Sequence, residues 1–309
     1  MENIKGILVS ISAPFENHIA NGGEKLLGNA SSIKRTPDGK VYVSGQMQRH
    51  VLFTAIDRIN QTDPNKGESY VSNGDGISNK IELDLRADMG GFMHPSKGDY
   101  SGRRTAPLSA TPAIAAGEKP SKIGRDLLIR IKQDPNDNSR DQALATREFS
   151  EYDDMHMNFF LDIGALSISK AFKYENGTHI NTIYYKHAKE EERKRRVMLF
   201  LEATRSMNDY ANQARNAVCG EPQKVLIVFD TKMSRKASRY FSASPKEQEN
   251  ILIELKERNA EFFLGDDTSG EVSVATAYKE ALTMLDHASL FDPCGGDDVI
   301  TTFSQAFGE

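Results

Sequence analysis

Five short stretches of the chain combine cationic side chains with small amides, hydroxyls and glycines: GNASSIKR at 28–35, SGQMQRH at 44–50, SGRRTAPLS at 101–109, ANQARNA at 211–217 and DTKMSRKASRYF at 230–241. The groups that could do chemistry in them are the cations Lys34, Arg35, Arg49, Arg103, Arg104, Arg215, Arg235, Lys236 and Arg239, with His50 beside Arg49. Asn29, Ser31, Ser44, Gln46, Asn212, Gln213 and Asn216 accompany them as neutral donors and acceptors. This is a vocabulary for phosphate and ribose: guanidinium groups clamp, amides and hydroxyls donate, and glycines let backbone amides approach. Arg49 is the most pointed case. It falls in the second turn of an expected helix, where the dipole disfavours a cation, so an external anion beside it would explain it.

Catalytic patterns are missing. There is no GxGxxG, no Walker sequence, no GxSxG and no HExxH. The loop DPNDNSRDQALA from Asp134 begins like a calcium-binding loop. It has Ser139 where glycine is needed and Ala145 where the closing glutamate belongs, so no calcium is expected there. The seven histidines, at 18, 50, 94, 156, 179, 187 and 287, are never paired at ligand spacing. Asp84 with Asp88, and Asp266 with Asp267, could meet a metal, but loop acids are the simpler reading. No cofactor and no bound metal are expected.

The net charge of -5 conceals a division. Residues 243–309 carry 14 acidic and 4 basic side chains, so the tail holds -10 and residues 1–242 hold +5. Basic residues then cluster at 101–132, with 7 Lys/Arg against 2 acids, and at 212–241, with 6 against 2. Such patches suit a polyanion, because each neutralised phosphate releases condensed counterions. Cys219 and Cys294 form neither a bridge scaffold nor a CxxC pair. No run of about 18 apolar residues occurs, and the N-terminal apolar run is too short for a signal peptide, so a cytoplasmic location is expected. Asn29 and Asn176 match glycosylation acceptors by pattern alone.

The elements that would position these groups are readable from periodicity. IKGILVSISA alternates Ile7, Val9 and Ile11 against Leu8, Ser10 and Ser12, a strand with one face buried and the other mixed. DGKVYVSG gives a turn and a short strand. Ser44 then caps a helix with the stripe Met47, Val51, Leu52, Ala55, Ile56 and Ile59, leaving Gln46, Arg49, His50 and Phe53 off it. Residues 61–154 are dense in Gly, Pro, Ser and Asn and form an insertion with LLIRI as an internal strand. A long strand follows through Met155–Ile163, broken or bulged at Gly164, then a helix after Lys189 and the apolar strand KVLIVFD. The tail adds one helix through EQENILIELKERNAEFF and another with Val274, Ala277, Tyr278, Ala281, Leu282 and Leu285 on one face. The order approximates a ferredoxin-like βαββαβ unit with a large insertion, an α+β fold.

SAPFENHIANGGEKLLGNASSIKR, VYVSGQMQRHVLF, VSNGDG, DLRADMGGFM, SGRRTAPLSATPA and ANQARNA followed by LIVFD resemble the CRISPR-associated Cas-seven (DevR-type autoregulator) family. These are the repeated backbone subunits of type I Cascade surveillance complexes, and an I-B or I-A-like variant fits best. The resemblance covers about Ile7 to Phe291. It implies a modified RNA-recognition-motif palm at residues 1–60 and 155–242, a fingers insertion at 61–154, and an acidic helical part at 243–309 packed on the palm. A thumb hairpin is expected near Arg235–Phe241, with Met233, Tyr240 and Phe241 as its wedge.

On these residues the family's S-x-Q-x-x-[KR] element matches Ser44, Gln46 and Arg49, which would track the phosphodiester chain of a guide RNA. The preceding loop matches Asn29, Ser31 and Arg35, and the later element matches Asn212, Gln213 and Asn216 with Arg215. The implied partners are crRNA, target DNA through base pairing, neighbouring copies of the chain and other Cascade subunits, with no membrane. Two rivals stay open. One is a metal-dependent RNA endonuclease of the type III kind, using Asp84 or Asp88; the other is a transcriptional autoregulator, for which no helix-turn-helix is evident.

Overall fold

The first strand buries both of its faces. Ile7, Val9, Ile11 and Phe15 point one way and Leu8, Ser10 and Ser12 the other, and all are buried. One buried face and one mixed face were expected; both are covered because the strand is central to a sheet packed on two sides. In the computed structural model, described over residues 1–26, 30–73, 78–93, 103–133, 140–268, 271–296 and 299–308, the backbone alone is described at 93, 103, 130–133 and 140–143.

The chain runs β1 (Gly6–His18), β2 (Gly23–Lys25), β3 (Ala30–Ile33), β4 (Tyr42–Val43), α1 (Gly45–Thr62) and α2 (Leu85–Gly90). Four short strands follow, β5 (Phe92–Met93), β6 (Arg103–Arg104), β7 (Leu108–Ala110) and β8 (Ala113–Ala115), then the long pair β9 (Ile123–Gln133) and β10 (Arg140–Asp162). Next come the hairpin β11 (Ile168–Glu175) and β12 (Thr178–Lys186), α3 (Glu190–Thr204), β13 (Lys224–Asp230) and a 3-10 helix over Lys236–Ser242. The tail holds α4 (Pro245–Glu257), β14 (Glu261–Asp266), α5 (Val274–His287) and α6 (Phe303–Phe307). Among the described residues no helix is long and apolar enough to cross a membrane.

The main sheet is mixed, in the order β14-β13-β1-β10-β3-β2, with β4, β7, β8 and β9 attached along β10 and its neighbours. Together with the helices it makes an α+β fold. On one face α1, α3 and α5 cover Ile7, Val9, Ile11, Met157, Phe159 and Ile227. On the other, the 3-10 helix and α4 cover Leu8, Phe160, Leu226 and Val228. β10 runs unbroken across positions 154 and 155: its first half pairs with β9, with β3 joining at Thr146 and Arg147, and its second half pairs with β1.

Three expectations need correction. Phe53 is not off the buried stripe of α1; it is 2% exposed. The helix read through NAEFF ends at Glu257, because Asn259 takes a left-handed φ of 55° and the chain re-enters the sheet as β14. No hairpin occupies 235–241. That stretch is the 3-10 helix, with Tyr240 buried beneath it, and the projecting hairpin is β11–β12, which exposes Phe172, Tyr174, Ile180 and Ile183.

One ionic knot ties these pieces. Asp88 on α2 is fully buried and accepts from Arg104 Nη2 at 2.6 Å and Arg196 Nη1 at 2.7 Å. It also takes the Ser167 amide and hydroxyl, both at 2.8 Å, which holds Ser167 at its left-handed φ of 57°. Burial pushes the Asp88 pKa up, but Arg196 and Arg104 outweigh it and the net shift is downward. Such a group stabilises fully above the unfolded carboxylate value of about 3.9 and loses that contribution as pH falls towards its lower folded value. Asp88→Asn removes the buried carboxylate that Arg104 and Arg196 share, although Arg196 keeps its ion pair with Glu192. It should cost about 3–5 kcal/mol in urea unfolding at neutral pH and flatten the loss of stability below about pH 4 that the unaltered protein shows.

Candidate nucleic-acid interface

The end of β1 is where the expected groups meet. Asn21, just past it, accepts the Ser44 amide at 3.2 Å, and Ser44 Oγ in turn accepts the Met47 amide and caps α1. Gly45 is required there, since a Cβ would sit 2.9 Å from the Ala110 carbonyl. Gln46 and His50 then face solvent on the first turns.

The loop after α3 is pinned to the same place. Ala211 donates its amide to Ala20, and Asn212, at φ 63°, donates its side-chain amide to Ile19 at 3.0 Å. Asn216 reaches the Asn17 carbonyl at 2.8 Å, while Gln213 bonds Asn208 and Val218 and so closes its own loop. These side chains shape the backbone, and Arg215 is held exposed at the loop's crest. Tyr210, buried beside the loop, donates to Gln48 of α1 at 3.0 Å and is kept un-ionised by burial.

β3 completes the surface. It lies parallel to β10, with Ser31 opposite Arg147, and Arg147 donates to Asn212 Oδ1 at 2.9 Å. Arg35 pairs with the buried carboxylate of Glu148 at 2.9 Å, and Arg125 shares that carboxylate at 3.3 Å, so two guanidiniums face one negative charge. Lys34 is half-buried, its carbonyl accepting the Tyr42 amide. Further along α1, Arg49 Nη2 donates to the Gly90 carbonyl at 2.5 Å.

The structure thus brings Ser31, Arg35, Ser44, Gln46, Arg215 and the Asn212–Asn216 loop around the end of β1, with Arg49 and His50 continuing along α1. Others lie elsewhere. Arg104 is 8% exposed and committed to Asp88, Ile168 and Ala165 in the interior, so it is not a surface cation. Arg103 is described by its backbone only, and Asn29 lies outside the described residues. Arg235, Lys236 and Arg239 sit on the opposite face of the sheet from α1. Arg235 stacks 4.1 Å over Phe160 and Lys236 pairs with Glu254. Arg125 and Arg147 join the site unannounced: each is an ordinary strand residue whose role depends on the β9–β10–β3 register, which no local pattern encodes.

The metal candidates are engaged otherwise. Asp84 caps α2 through the Arg86 amide and also accepts the Ser72 amide. Asp88 lies in the knot described above. Asp266, drawn down to about 2 chiefly by Thr268 and Lys224 against the opposing effect of burial, pairs with Lys224 at 3.0 Å. Asp267 accepts the Val274 amide at 2.8 Å. Among the described residues no group of three or more His, Cys, Asp or Glu side chains could hold a metal ion. Residues 134–139 of the calcium-like loop, and His94, lie outside the described residues.

No protein-family model matches this chain, and no curated protein does. Solved structures do. A chain of a "CRISPR RNA-guided surveillance complex" superposes with a TM-score of 0.55 over 90% of this chain and 99% of its own, at 13% identity. A chain of a "CRISPR RNA-guided surveillance complex, pre-nicking" gives 0.56 over 91% and 99%, at 10% identity. At such identity the likeness is one of fold, and it extends over nearly the whole of each chain.

Proposed function

We propose that this chain is a non-catalytic, guide-RNA-binding backbone subunit of a type I CRISPR surveillance complex, most akin to the I-B or I-A kind. The observation that carries the reading is the meeting of Ser31, Ser44, Arg215 and the Arg35–Glu148–Arg125 group around the end of β1, with more guanidinium than carboxylate among them. Fold similarity over nine-tenths of the chain supports it. In this reading β1, α1, the second half of β10, α3 and β13 are a modified RNA-recognition-motif palm, and residues 61–154 are the fingers. The β11–β12 hairpin, with Phe172 and Tyr174 exposed, is the thumb. The protein would polymerise head to tail along the RNA, grip ribose-phosphate by shape and charge, and leave bases free to pair with target DNA. The burial of Asp88 between two arginines favours this over an endonuclease built on that residue.

Binding to unrelated single-stranded RNAs of equal length should show near-equal affinities, and a log-log salt slope of about -0.7 per neutralised phosphate. Strong dependence on base sequence in a filter-binding or anisotropy series would overturn the reading. The two faces of the sheet should also differ. Arg215→Gln is expected to weaken binding and make that slope shallower by about 0.7, whereas Lys236→Gln with Arg239→Gln should leave both nearly unchanged.

A further inference from the structure

Beside Arg49 stands a second arginine that the binding motifs do not include. Arg86, in the first turn of α2, places its guanidinium 4.8 Å over the ring of Phe53, and Arg49 lies 6.0 Å from the centre of the same ring. Both side chains are half-buried, and the Nε atom of each is buried without a hydrogen-bond partner. Asp84 and Asp57 act on Arg86 through space, but among the described residues neither forms an ion pair with it, and none forms with Arg49. Burial draws both pKa values down, and Arg49 adds repulsion to Arg86.

Two cations thus lie against one aromatic ring, close enough for Arg49 to act on Arg86, and among the described residues no carboxylate is bonded to either guanidinium. Like charges so placed repel, and the arrangement is relieved when an anion enters between them. The backbone is fitted to it. A Cβ on Gly90 would lie 3.2 Å from the Phe53 ring and 3.3 Å from Arg49 Nη2, a tight fit, so glycine lets this carbonyl reach Arg49 without crowding the ring. Gly91, at φ 69°, then turns the chain away. Among the described residues the remaining donors of Arg49 and those of Arg86 have no hydrogen-bond partner, the state in which paired guanidiniums take a phosphate group through several parallel hydrogen bonds.

We propose that Arg49 and Arg86, seated on Phe53, form a two-guanidinium clamp for a single phosphate group. It rests on the RNA-binding reading for its occupant, one phosphodiester of bound RNA, and inorganic phosphate shares the same chemistry. The full-length protein is assayed with a short unstructured RNA across a salt series, unaltered and as Arg49→Gln, Arg86→Gln, Arg86→Lys and the double glutamine variant. Arg86→Gln should weaken binding roughly tenfold and make the salt slope shallower by about 0.7. The double variant should lose clearly less than the product of the two single losses, because both arginines hold one phosphate. Arg86→Lys, which keeps the charge but not the fork, should fall between, and it is read in place of Arg86→Gln if that variant does not fold.

A protein that binds RNA but is indifferent to both Arg86 substitutions, or whose losses multiply fully, overturns the clamp and spares the RNA reading. If the unaltered protein binds no RNA, that reading fails and the clamp is judged on inorganic phosphate alone. A rise in melting temperature with phosphate that Arg86→Gln or Arg86→Lys abolishes upholds the clamp, and an undiminished rise or none at all sinks it.

Discussion

Asp88 is the point at which separate parts of the sequence become one structure. Its carboxylate binds Arg104 from the short strand β6, Arg196 from α3 and Ser167 from the turn that follows β10. Each arginine then reaches main-chain carbonyls, Arg104 those of Ala165 and Ile168, and Arg196 those of Ile81 and Glu82. Arg193 does the same one turn earlier, closing on Ile163, Leu166 and Phe291. Turns without regular structure thereby have their carbonyls satisfied by guanidinium instead of water. Buried charge of this kind is poor evidence for stability, but it is exacting about geometry, since removing a member takes a close ionic partner from buried charges.

That exactness is transmitted to the cationic surface. α2 carries Asp88 and, two residues earlier, Arg86; Gly90, its last residue, supplies the carbonyl that holds Arg49. α3 carries Arg196 at its centre and is followed by the loop that lies on the end of β1. The interior knot and the exposed cations are therefore on the same elements, and the apolar packing of α1 and α3 on β1 and β10 fixes the distance between them. Arginine recurs in both places for one reason: its planar fork can satisfy several acceptors at once, which lysine cannot do.

What the sequence made legible was local. The Ser44 cap, the stripe of α5 and the run KVLIVFD follow from capping and periodicity, which involve near neighbours, and each stands as expected. EEERKRR read as a helix dipole arrangement, and its helix is there; the burial of Arg193, Arg195 and Arg196 was not readable, because the partner of Arg196 lies 108 residues away. The strand β14 was hidden inside a helical reading because a single left-handed asparagine separates the two. Of the candidate surface, the polar loops were visible as composition, while Arg147 and Arg125 depended on strand register and Arg104 turned inward on a partner no pattern could name.

β10 has a consequence of its own. Its 23 residues contain neither glycine nor proline, and at about 3.3 Å each they extend for roughly 75 Å. The same strand forms the ribbon with β9, bearing exposed Leu127, Ile129 and Leu144, and then becomes the neighbour of β1 in the core. With no hinge along it, the arm behaves as a beam built into the sheet. A load applied at its tip would be carried as twist through the hydrogen-bond ladder in which Ser31 lies opposite Arg147.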